Sequence, residues 1–177
     1  MAACPHIALV GFSGAGKSTV ARLAAPRLGR PCLDTDAAIE QACGMKIPQI
    51  FSTRGEDYFR ARETEALRRA LDSHPPAIIA CGGGVVTSPE NFALLEEHAL
   101  VVYLKVSPER ALARIDELHS RPLLAQSGTH EVIAALMTSR LALYEALADL
   151  SITTDHHDPE EVCDLMIDRI REAGYEL

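Results

Sequence analysis

The stretch Gly11-Phe12-Ser13-Gly14-Ala15-Gly16-Lys17-Ser18 fits the pattern G-x-x-x-x-G-K-[ST]. An apolar run, Ile7 to Val10, precedes it, and a helix-forming stretch from Thr19 to Leu28 follows it. In this context the glycines let backbone N–H groups turn toward an anion at the positive N-terminus of the helix, while the lysine reaches the β- and γ-phosphates and the hydroxyl ligates Mg²⁺. The stretch therefore predicts a nucleoside triphosphate site but does not say how the phosphate is used.

Composition predicts one globular domain over residues 1–177, because 47% of the residues are hydrophobic and 24% are charged. The chain has no apolar run of about 18 residues and no basic segment leading into a long apolar one, so we expect neither membrane insertion nor secretion. The five cysteines are scattered and form no C-x-x-C pair. We interpret them as reduced thiols of a cytoplasmic protein.

The formal net charge of −8 argues against nucleic-acid binding, which depends on clustered lysine and arginine. If the ligands are anions, individual basic side chains must converge on them, because the field of the whole protein does not attract them. No heptad pattern or apolar stripe calls for a partner chain, so a monomer is the default expectation.

Short apolar runs alternate with longer segments of helical periodicity, a pattern that predicts a parallel sheet covered by helices on both faces. The fold class is therefore α/β in three layers, with ligands expected outside the carboxyl ends of the strands. The predicted strands are Ile7–Val10, Pro31–Asp34, Ala77–Ala80, Leu100–Leu104 and Leu150–Thr153.

Local signals mark the helix starts and one irregular segment. Ser88, Ser107 and Asp158 each precede a Pro-Glu pair, which predicts an N-cap followed by proline at the first helical position. After a predicted helix at 108–117, the stretch from Leu118 to Gly128 lacks sustained periodicity. We interpret it as a lid.

Asp34-Thr35-Asp36 ends the second predicted strand. Because residues two apart on an extended chain point the same way, one carboxylate could hold a water of Mg²⁺ while the other approaches an acceptor hydroxyl. The alternative is that Asp36 only caps a helix at Ala37–Ala42.

Gly82-Gly83-Gly84 follows the third predicted strand, where its N–H groups could donate to hydroxyls or oxyanions, or could simply form a flexible turn. A long helix is predicted after Gly55, and it places Arg60 and Glu63 on one face. By themselves this pair and Arg140 indicate no more than surface charges.

Taken in order, these motifs resemble the shikimate kinase family over almost the entire chain. The resemblance rests on the phosphate-binding loop, Asp34-Thr35-Asp36, Phe51, Gly55-Glu56-x-x-Phe59-Arg60-x-x-Glu63, Gly82-Gly83-Gly84, Arg121-Pro122-Leu123-Leu124 and Arg140-x-x-x-Tyr144. It implies a P-loop kinase fold with a five-stranded sheet, a substrate-binding helical segment at about 35–63 and a lid at about 118–129.

For the phosphate donor, the resemblance implies ATP with Mg²⁺, the metal being held by Ser18 with Asp34 in its outer shell. Lys17 and Arg121, the latter descending with the lid, would act on the transferring phosphoryl group, and Arg114 and the region of Pro159 would flank the adenine. The implied ATP-binding set is Gly11, Ser13, Gly14, Ala15, Gly16, Lys17, Ser18, Thr19, Arg114, Arg121 and Pro159.

For the acceptor, the resemblance implies transfer of the γ-phosphoryl group to the 3-hydroxyl of shikimate, in the pathway to the aromatic amino acids. Asp36 would help to take the hydroxyl proton, Arg60 and Arg140 would clamp the carboxylate, and Glu63 would orient Arg60. The implied catalytic residues are Lys17, Asp36 and Arg121, and the implied substrate-binding set is Asp36, Phe51, Phe59, Arg60, Glu63, Gly82, Gly83, Gly84 and Arg140.

Two positions depart from the family pattern. Cys81 stands where the family usually has Ser or Thr, which weakens a water-mediated metal contact. The second position is Asp158, which stands directly before Pro159 and follows His156 and His157. We interpret both histidines as exposed loop residues. The alternatives are another small P-loop kinase, for gluconate or nucleoside monophosphates, or a nucleotide-binding module without catalysis; the paired arginines and the triple glycine favour shikimate.

Overall fold

The computed structural model describes residues 2–3, 5–116 and 130–177. Within them, five parallel strands form one sheet in the order β3-β4-β2-β5-β6. The strands are β2 (His6–Val10), β3 (Cys32–Asp34), β4 (Ile78–Ala80), β5 (Ala99–Lys105) and β6 (Leu150–Thr153). The predicted parallel sheet is thus confirmed, with strand ends that differ by one residue at most. A short parallel pair, β1 (Ala2–Ala3) with β7 (Tyr175–Glu176), was not predicted.

Helices cover both faces of this sheet, as predicted. They are α1 (Lys17–Leu28), α2 (Thr35–Cys43), α3 (Ile47–Arg54), α4 (Glu56–Leu71), α5 (Pro89–His98), α6 (Pro108–Asp116), α7 (His130–Leu147) and α8 (Pro159–Glu172), with a 3₁₀ turn at Val85–Thr87. No helix in the described ranges is long and apolar enough to cross a membrane.

The two faces of β2 explain why its sequence is continuously apolar. Ile7 and Leu9 pack with α1 and α8 on one face, and Ala8 and Val10 pack with α4, α5 and α7 on the other. All four side chains are fully buried. Successive strand residues point to opposite faces, so a strand covered on both faces needs apolar residues at every position.

A third, smaller apolar cluster joins α2, α3 and α4 through Ile39, Ile50 and Phe59. It lies within the segment that the resemblance assigns to substrate binding, about 35–63. The cluster ties the helix that carries Asp36 to the helix that carries Arg60.

The predicted N-caps are present at Ser88, Ser107 and Asp158, whose side chains accept the N–H groups of Asn91, Arg110 and Glu161 respectively. The alternative of Asp36 as a cap is wrong. Asp34 caps α2 instead, accepting the Ala37 N–H at 3.1 Å. The helix already begins at Thr35, so Asp36 lies in its first turn rather than on extended chain.

Two predictions fall outside the described residues. They are the lid at about 118–129 and, within it, Arg121. Glu117, the predicted last residue of the helix that we call α6, also lies outside them.

Candidate active site

The phosphate loop connects β2 to α1 through glycines in conformations that other residues rarely adopt. Gly11 has φ +142°, and a Cβ there would lie 2.5 Å from the carbonyl oxygen of Leu104. Gly16 has φ +91° and directly precedes the first residue of α1. Backbone strain and close approach thus both require glycine in this loop.

Lys17 is buried at the start of α1 and faces the loop. Its Nζ donates to the carbonyl oxygens of Gly11 at 2.7 Å and Phe12 at 2.9 Å. These bonds hold the ammonium group above the N-terminus of α1, where the helix dipole favours anions.

Ser18 and Asp34 join the start of α1 to the end of β3. The Ser18 hydroxyl donates to Asp34 Oδ2 at 2.6 Å. A hydroxyl and a carboxylate side by side are the hard oxygen donors that Mg²⁺ prefers. Among the described residues, no group of three His, Cys, Asp or Glu side chains could enclose a metal ion. The pair of Ser18 and Asp34 suits a cation that keeps waters and phosphate oxygens among its ligands.

A cavity of about 320 Å³ opens at this loop. It brings together most of the residues predicted for ATP and adds several that sequence reasoning missed. Gly14, Ala15, Gly16, Lys17, Ser18, Thr19, Asp34, Asp36, Arg114 and Pro159 line it, with Val20, Cys81, Thr154, His157 and Val162 as further lining residues; Gly11 and Ser13 do not line it. His157 is exposed, as predicted, yet it also borders the cavity.

Arg114 reaches this cavity from α6. Its Nη1 donates to Gly14 O and to Thr154 Oγ1, each at 3.1 Å, and its Nη2 donates to Thr154 O at 2.9 Å. The guanidinium therefore links the phosphate loop to the segment after β6. Thr154 carries no motif, and only the fold places it here.

Cys81 follows β4 and lines the same cavity. Its side chain is buried, and burial raises the pKa of the thiol to about 12. The group is therefore a neutral thiol at physiological pH. Its Sγ is 4.0 Å from the carbonyl oxygen of Ile79.

On the side that the resemblance assigns to the acceptor, two carboxylates flank the first glycine of the triple-glycine turn. A Cβ on Gly82 would lie 2.7 Å from Glu63 Oε1 and 2.8 Å from Asp36 Oδ1. Thr35 fixes this approach, because its hydroxyl oxygen accepts the Gly82 N–H at 3.0 Å. The carboxylates of α2 and α4 thus meet at the turn after β4.

Glu63 is 1% exposed, and its two carboxylate oxygens have different surroundings. Its Oε2 accepts Arg60 Nη1 at 2.8 Å, which confirms the predicted pairing of the two side chains. Its Oε1 has no hydrogen-bond partner among the described residues. Burial raises the pKa of Glu63, and the nearby Arg60 guanidinium opposes that shift. A buried acceptor without a partner is where a donor hydroxyl would be stabilised.

Arg60 and Arg140 reach the triple-glycine turn from two helices. Arg60 contacts the position of Gly84, where a Cβ would collide with its guanidinium. Arg140, on α7, donates from Nη1 to the carbonyl oxygen of Gly83 at 3.3 Å. The hydroxyl of Tyr144, one turn later, donates to the same oxygen. Neither arginine is the unconstrained surface charge that its helix position alone would indicate.

Aromatic rings border the two arginines. Phe51 and Phe59 have ring centroids 4.6 Å apart, and the Arg60 guanidinium carbon lies 5.5 Å from the Phe59 ring. The Arg140 guanidinium carbon lies 6.0 Å from the ring of Phe12 in the phosphate loop. Sequence reasoning assigned no role to Phe12. Its place beside Arg140 follows from the adjacency of the loop and α7.

Comparison with known proteins agrees with this geometry. The family model described as shikimate kinase matches residues 13–171. Shikimate kinase of Dehalococcoides mccartyi is 40% identical over 94% of this chain and 93% of its own length. Shikimate kinase of Thermobifida fusca is 41% identical over 98% of this chain and 99% of its own length.

Solved structures extend the likeness to three dimensions. A shikimate kinase from Acinetobacter baumannii, solved in complex with shikimate, superposes with a TM-score of 0.92 at 35% identity, covering 98% of this chain and 96% of that one. A deoxyadenosine kinase from M. mycoides with bound dCTP matches at a TM-score of 0.59 and 17% identity over 94% of this chain and 99% of that one, a likeness of fold alone. The family match over most of the length and the 40% identity of full-length relatives show that this chain belongs to the shikimate kinase family.

Proposed function

We propose that the protein transfers the γ-phosphoryl group of ATP to the 3-hydroxyl of shikimate, giving shikimate 3-phosphate and ADP. The observation that carries this proposal is the convergence of Arg60, Arg140 and the two carboxylates on the Gly82–Gly84 turn, directly beside the phosphate cavity. Two guanidinium groups suit a carboxylate, and hydrogen-bond acceptors suit the hydroxyls of a ring. Family membership supports the same acceptor.

Asp36 is the group that both ligands would share. It lines the phosphate cavity, and its Oδ1 faces the Gly82 position of the acceptor turn. In this role its carboxylate accepts the proton of the attacking hydroxyl as the phosphoryl group arrives. Phosphoryl transfer passes through a loose transition state, so the protein contributes mainly positioning and charge stabilisation.

On the donor side, the loop N–H groups and Lys17 would hold the phosphates. Lys17 would exchange its bonds to the Gly11 and Phe12 carbonyls for bonds to phosphate oxygens. Ser18 would ligate Mg²⁺ with Asp34 in the outer shell, and the ion would neutralise charge on the β- and γ-phosphates. Arg114 and Pro159 would flank the adenine, and Arg121 would complete the charge on the transferring group.

On the acceptor side, Arg60 and Arg140 would hold the shikimate carboxylate. Glu63 Oε2 fixes Arg60, and the free Oε1 offers an acceptor for a ring hydroxyl. Phe51 and Phe59 would cover the apolar face of the ring. The backbone of Gly82 to Gly84 would approach the substrate closely because no side chain intervenes.

We further propose that the chain is one domain, acts as a monomer and resides in the cytoplasm. Both large core clusters rest on opposite faces of one sheet, which supports a single folding unit. Four cysteine side chains that the structure describes are free thiols, as expected in a reducing compartment. Size-exclusion chromatography followed by light scattering measures the mass of the protein in solution. The mass of a dimer would overturn the proposal that it is a monomer.

The experiment that tests the activity measures ADP release by the purified protein with Mg²⁺-ATP. Shikimate, quinate, gluconate and nucleoside monophosphates are supplied separately. We expect release with shikimate, together with a product whose phosphorus NMR signal couples to the proton at carbon 3. If shikimate released no more ADP than buffer alone, the proposal would fail.

A further inference from the structure

A second cavity, of about 230 Å³, lies between α2 and α4 beside the end of β3. None of the residues assigned above to the acceptor lines it, and it shares only Asp34 with the phosphate cavity. It is therefore a separate opening in the segment that presents the acceptor residues. Binding sites for drug-sized molecules usually measure about 300–1,000 Å³, so this cavity suits a smaller ligand.

Small side chains on two facing helices leave this room. Ala38 and Ala42 are four residues apart on α2, and Ala66 and Ala70 are four apart on α4. Residues at this spacing share one helix face. Together with the lining residues Leu33 and Ile39, they give the cavity a largely apolar wall. An occupant would thus present an apolar body to the two helices.

Two arginines at the cavity could receive an anionic end of that body. Arg62 and Arg69 both line the cavity and both pair with a single carboxylate, that of Glu65. The second lining carboxylate, Asp34, balances the charge but accepts the Ser18 hydroxyl instead. The two guanidinium groups therefore share Glu65, and a small carboxylate is a further acceptor that suits them.

Arg62 also has an unused donor. One of its terminal nitrogens, Nη1, is 2.6 Å from Glu65, and the guanidinium carbon lies 5.4 Å from the Tyr58 ring. Its Nε is buried and has no hydrogen-bond partner in the described part of the chain. Leaving a buried donor unsatisfied costs about 1–3 kcal/mol. A carboxylate oxygen that accepts from Nε would remove this cost.

We propose that the cavity between α2 and α4 binds a small monocarboxylate with an apolar ring or chain, its carboxylate at Arg62 and its apolar body against the alanines. The occupant contacts the helix that carries Asp36 and the helix that carries Arg60 and Glu63. It therefore changes the affinity for the acceptor more than the affinity for ATP. This second effect rests on the function proposed above, whereas the binding itself does not.

Calorimetric titration with 3-phenylpropionate tests the binding, and 3-phenylpropanamide serves as the uncharged control of the same shape. The Ala38→Leu variant fills the cavity from an exposed position, and Ala37→Leu adds the same side chain outside it. We expect the wild type and Ala37→Leu to bind the acid equally, and Ala38→Leu to bind it at least tenfold more weakly. Arg62→Met should weaken binding roughly tenfold or more, the scale of a hydrogen bond to a charged group.

No heat of binding with the wild type, or equal binding by Ala38→Leu, would overturn the site. Equal binding of the amide would overturn the carboxylate specificity. Melting curves of each variant show that loss of binding does not reflect unfolding. Because Ala38→Leu leaves the arginines of the acceptor site untouched, its result separates this cavity from binding of the probe there.

A kinetic experiment tests the coupling. With 3-phenylpropionate present, we expect the KM for shikimate to change by a larger factor than the KM for ATP in the wild type, with neither changing in Ala38→Leu. Binding without any change in the shikimate KM would overturn the coupling and leave the site. Absence of all shikimate-dependent ADP release would instead overturn the proposed function, and the calorimetric result would still stand.

Discussion

The proposed donor and acceptor halves of the site are built in different ways. The phosphate-binding half comes from one continuous stretch, residues 11–18, and presents mainly backbone groups and one lysine. The acceptor half collects side chains from α2, α4 and α7 around the turn after β4. A local motif is enough to specify the first half, whereas the second exists only once the chain has folded.

The glycines of the two halves make the same contrast. In the phosphate loop, Gly11, Gly14 and Gly16 all have positive φ, so the backbone itself needs glycine. Gly82, Gly83 and Gly84 do not. In the acceptor turn glycine is required by the side chains that approach it, the carboxylates at Gly82 and the guanidinium at Gly84. The phosphate-loop glycines share a requirement of conformation, to which Gly11 adds one of space, whereas the acceptor turn requires space alone.

Replacing the lysine of the donor half should have the largest effect. In Lys17→Met, we expect kcat to fall by about 10³-fold, the upper range for loss of one preorganised charged donor at a transition state. The shikimate affinity, measured by calorimetry, should stay within twofold because Lys17 belongs to the donor half. Lys46→Met is the matched control, since the side chain of that lysine is 76% exposed and forms an ion pair with Glu40, away from the phosphate loop. A comparable loss of shikimate affinity in Lys17→Met would contradict the separation of the halves.

Removing an arginine of the acceptor half should impair the use of shikimate rather than the binding of ATP. In Arg140→Ala, we expect kcat/KM for shikimate to fall by roughly 10- to 150-fold, which corresponds to about 1.5–3 kcal/mol, the scale of a hydrogen bond to a charged group. ATP affinity should remain nearly unchanged. Steady-state kinetics with each substrate varied in turn measure both effects. Arg171→Ala, at an exposed position, is the control. Equal losses for both substrates would show that Arg140 does not belong to the acceptor half alone.

Two glycine substitutions sharpen the distinction between space and conformation. In Gly84→Ala the new methyl group displaces the Arg60 guanidinium, the far end of a flexible side chain, so we expect a roughly tenfold higher shikimate KM from the loss of one charged contact. The melting temperature should change little. Gly29→Ala has nothing within 4 Å but φ +60°, so it should cost about 1 kcal/mol of stability and leave the KM unchanged. The reverse pattern would refute our reading of the two kinds of glycine.

The smallest effect concerns His6, which lies outside both halves on β2. Burial lowers the pKa of His6, and its Nδ1 accepts the Ala77 N–H at 3.0 Å. Because the folded pKa is below the unfolded value, the neutral ring contributes stability above pH 6.5 that is lost as the pH falls through and below that value. Urea unfolding of the wild type at pH 7.5 and 5.5 should show this loss. In His6→Asn, which keeps an acceptor but does not titrate, the fall should be smaller; an unchanged fall would assign it to other groups.

The sequence predicted all five strands of the large sheet, because short apolar runs that alternate with segments of helical periodicity indicate a parallel sheet covered by helices. It did not predict the pairing of β1 with β7, since two-residue strands carry no periodicity. It placed the cap of α2 at Asp36 as one alternative, but the helix begins two residues earlier and Asp34 is the cap. Two aspartates separated by one residue give equal local signals for a cap, and only the end of β3 distinguishes them.

The donor residues of the motif could be predicted from spacing alone. The roles of Arg60 and Arg140 could not, because each looks like an exposed helical charge until the turn at Gly82–Gly84 lies beside it. Only the family resemblance indicated them. Thr154 and Phe12 were missed altogether, since the first lies after a distant strand and the second is a variable position of the loop pattern.

Cys81 has a practical consequence for chemical labelling. The thiolate is the form that reacts with electrophiles, and this thiol has a pKa of about 12 in a buried position. General alkylating reagents at neutral pH should therefore modify the exposed Cys32 well before Cys81. An electrophile carried on a nucleotide analogue would be held against Cys81 by the cavity that this residue lines. The residue thus offers a covalent handle that depends on proximity rather than on intrinsic reactivity.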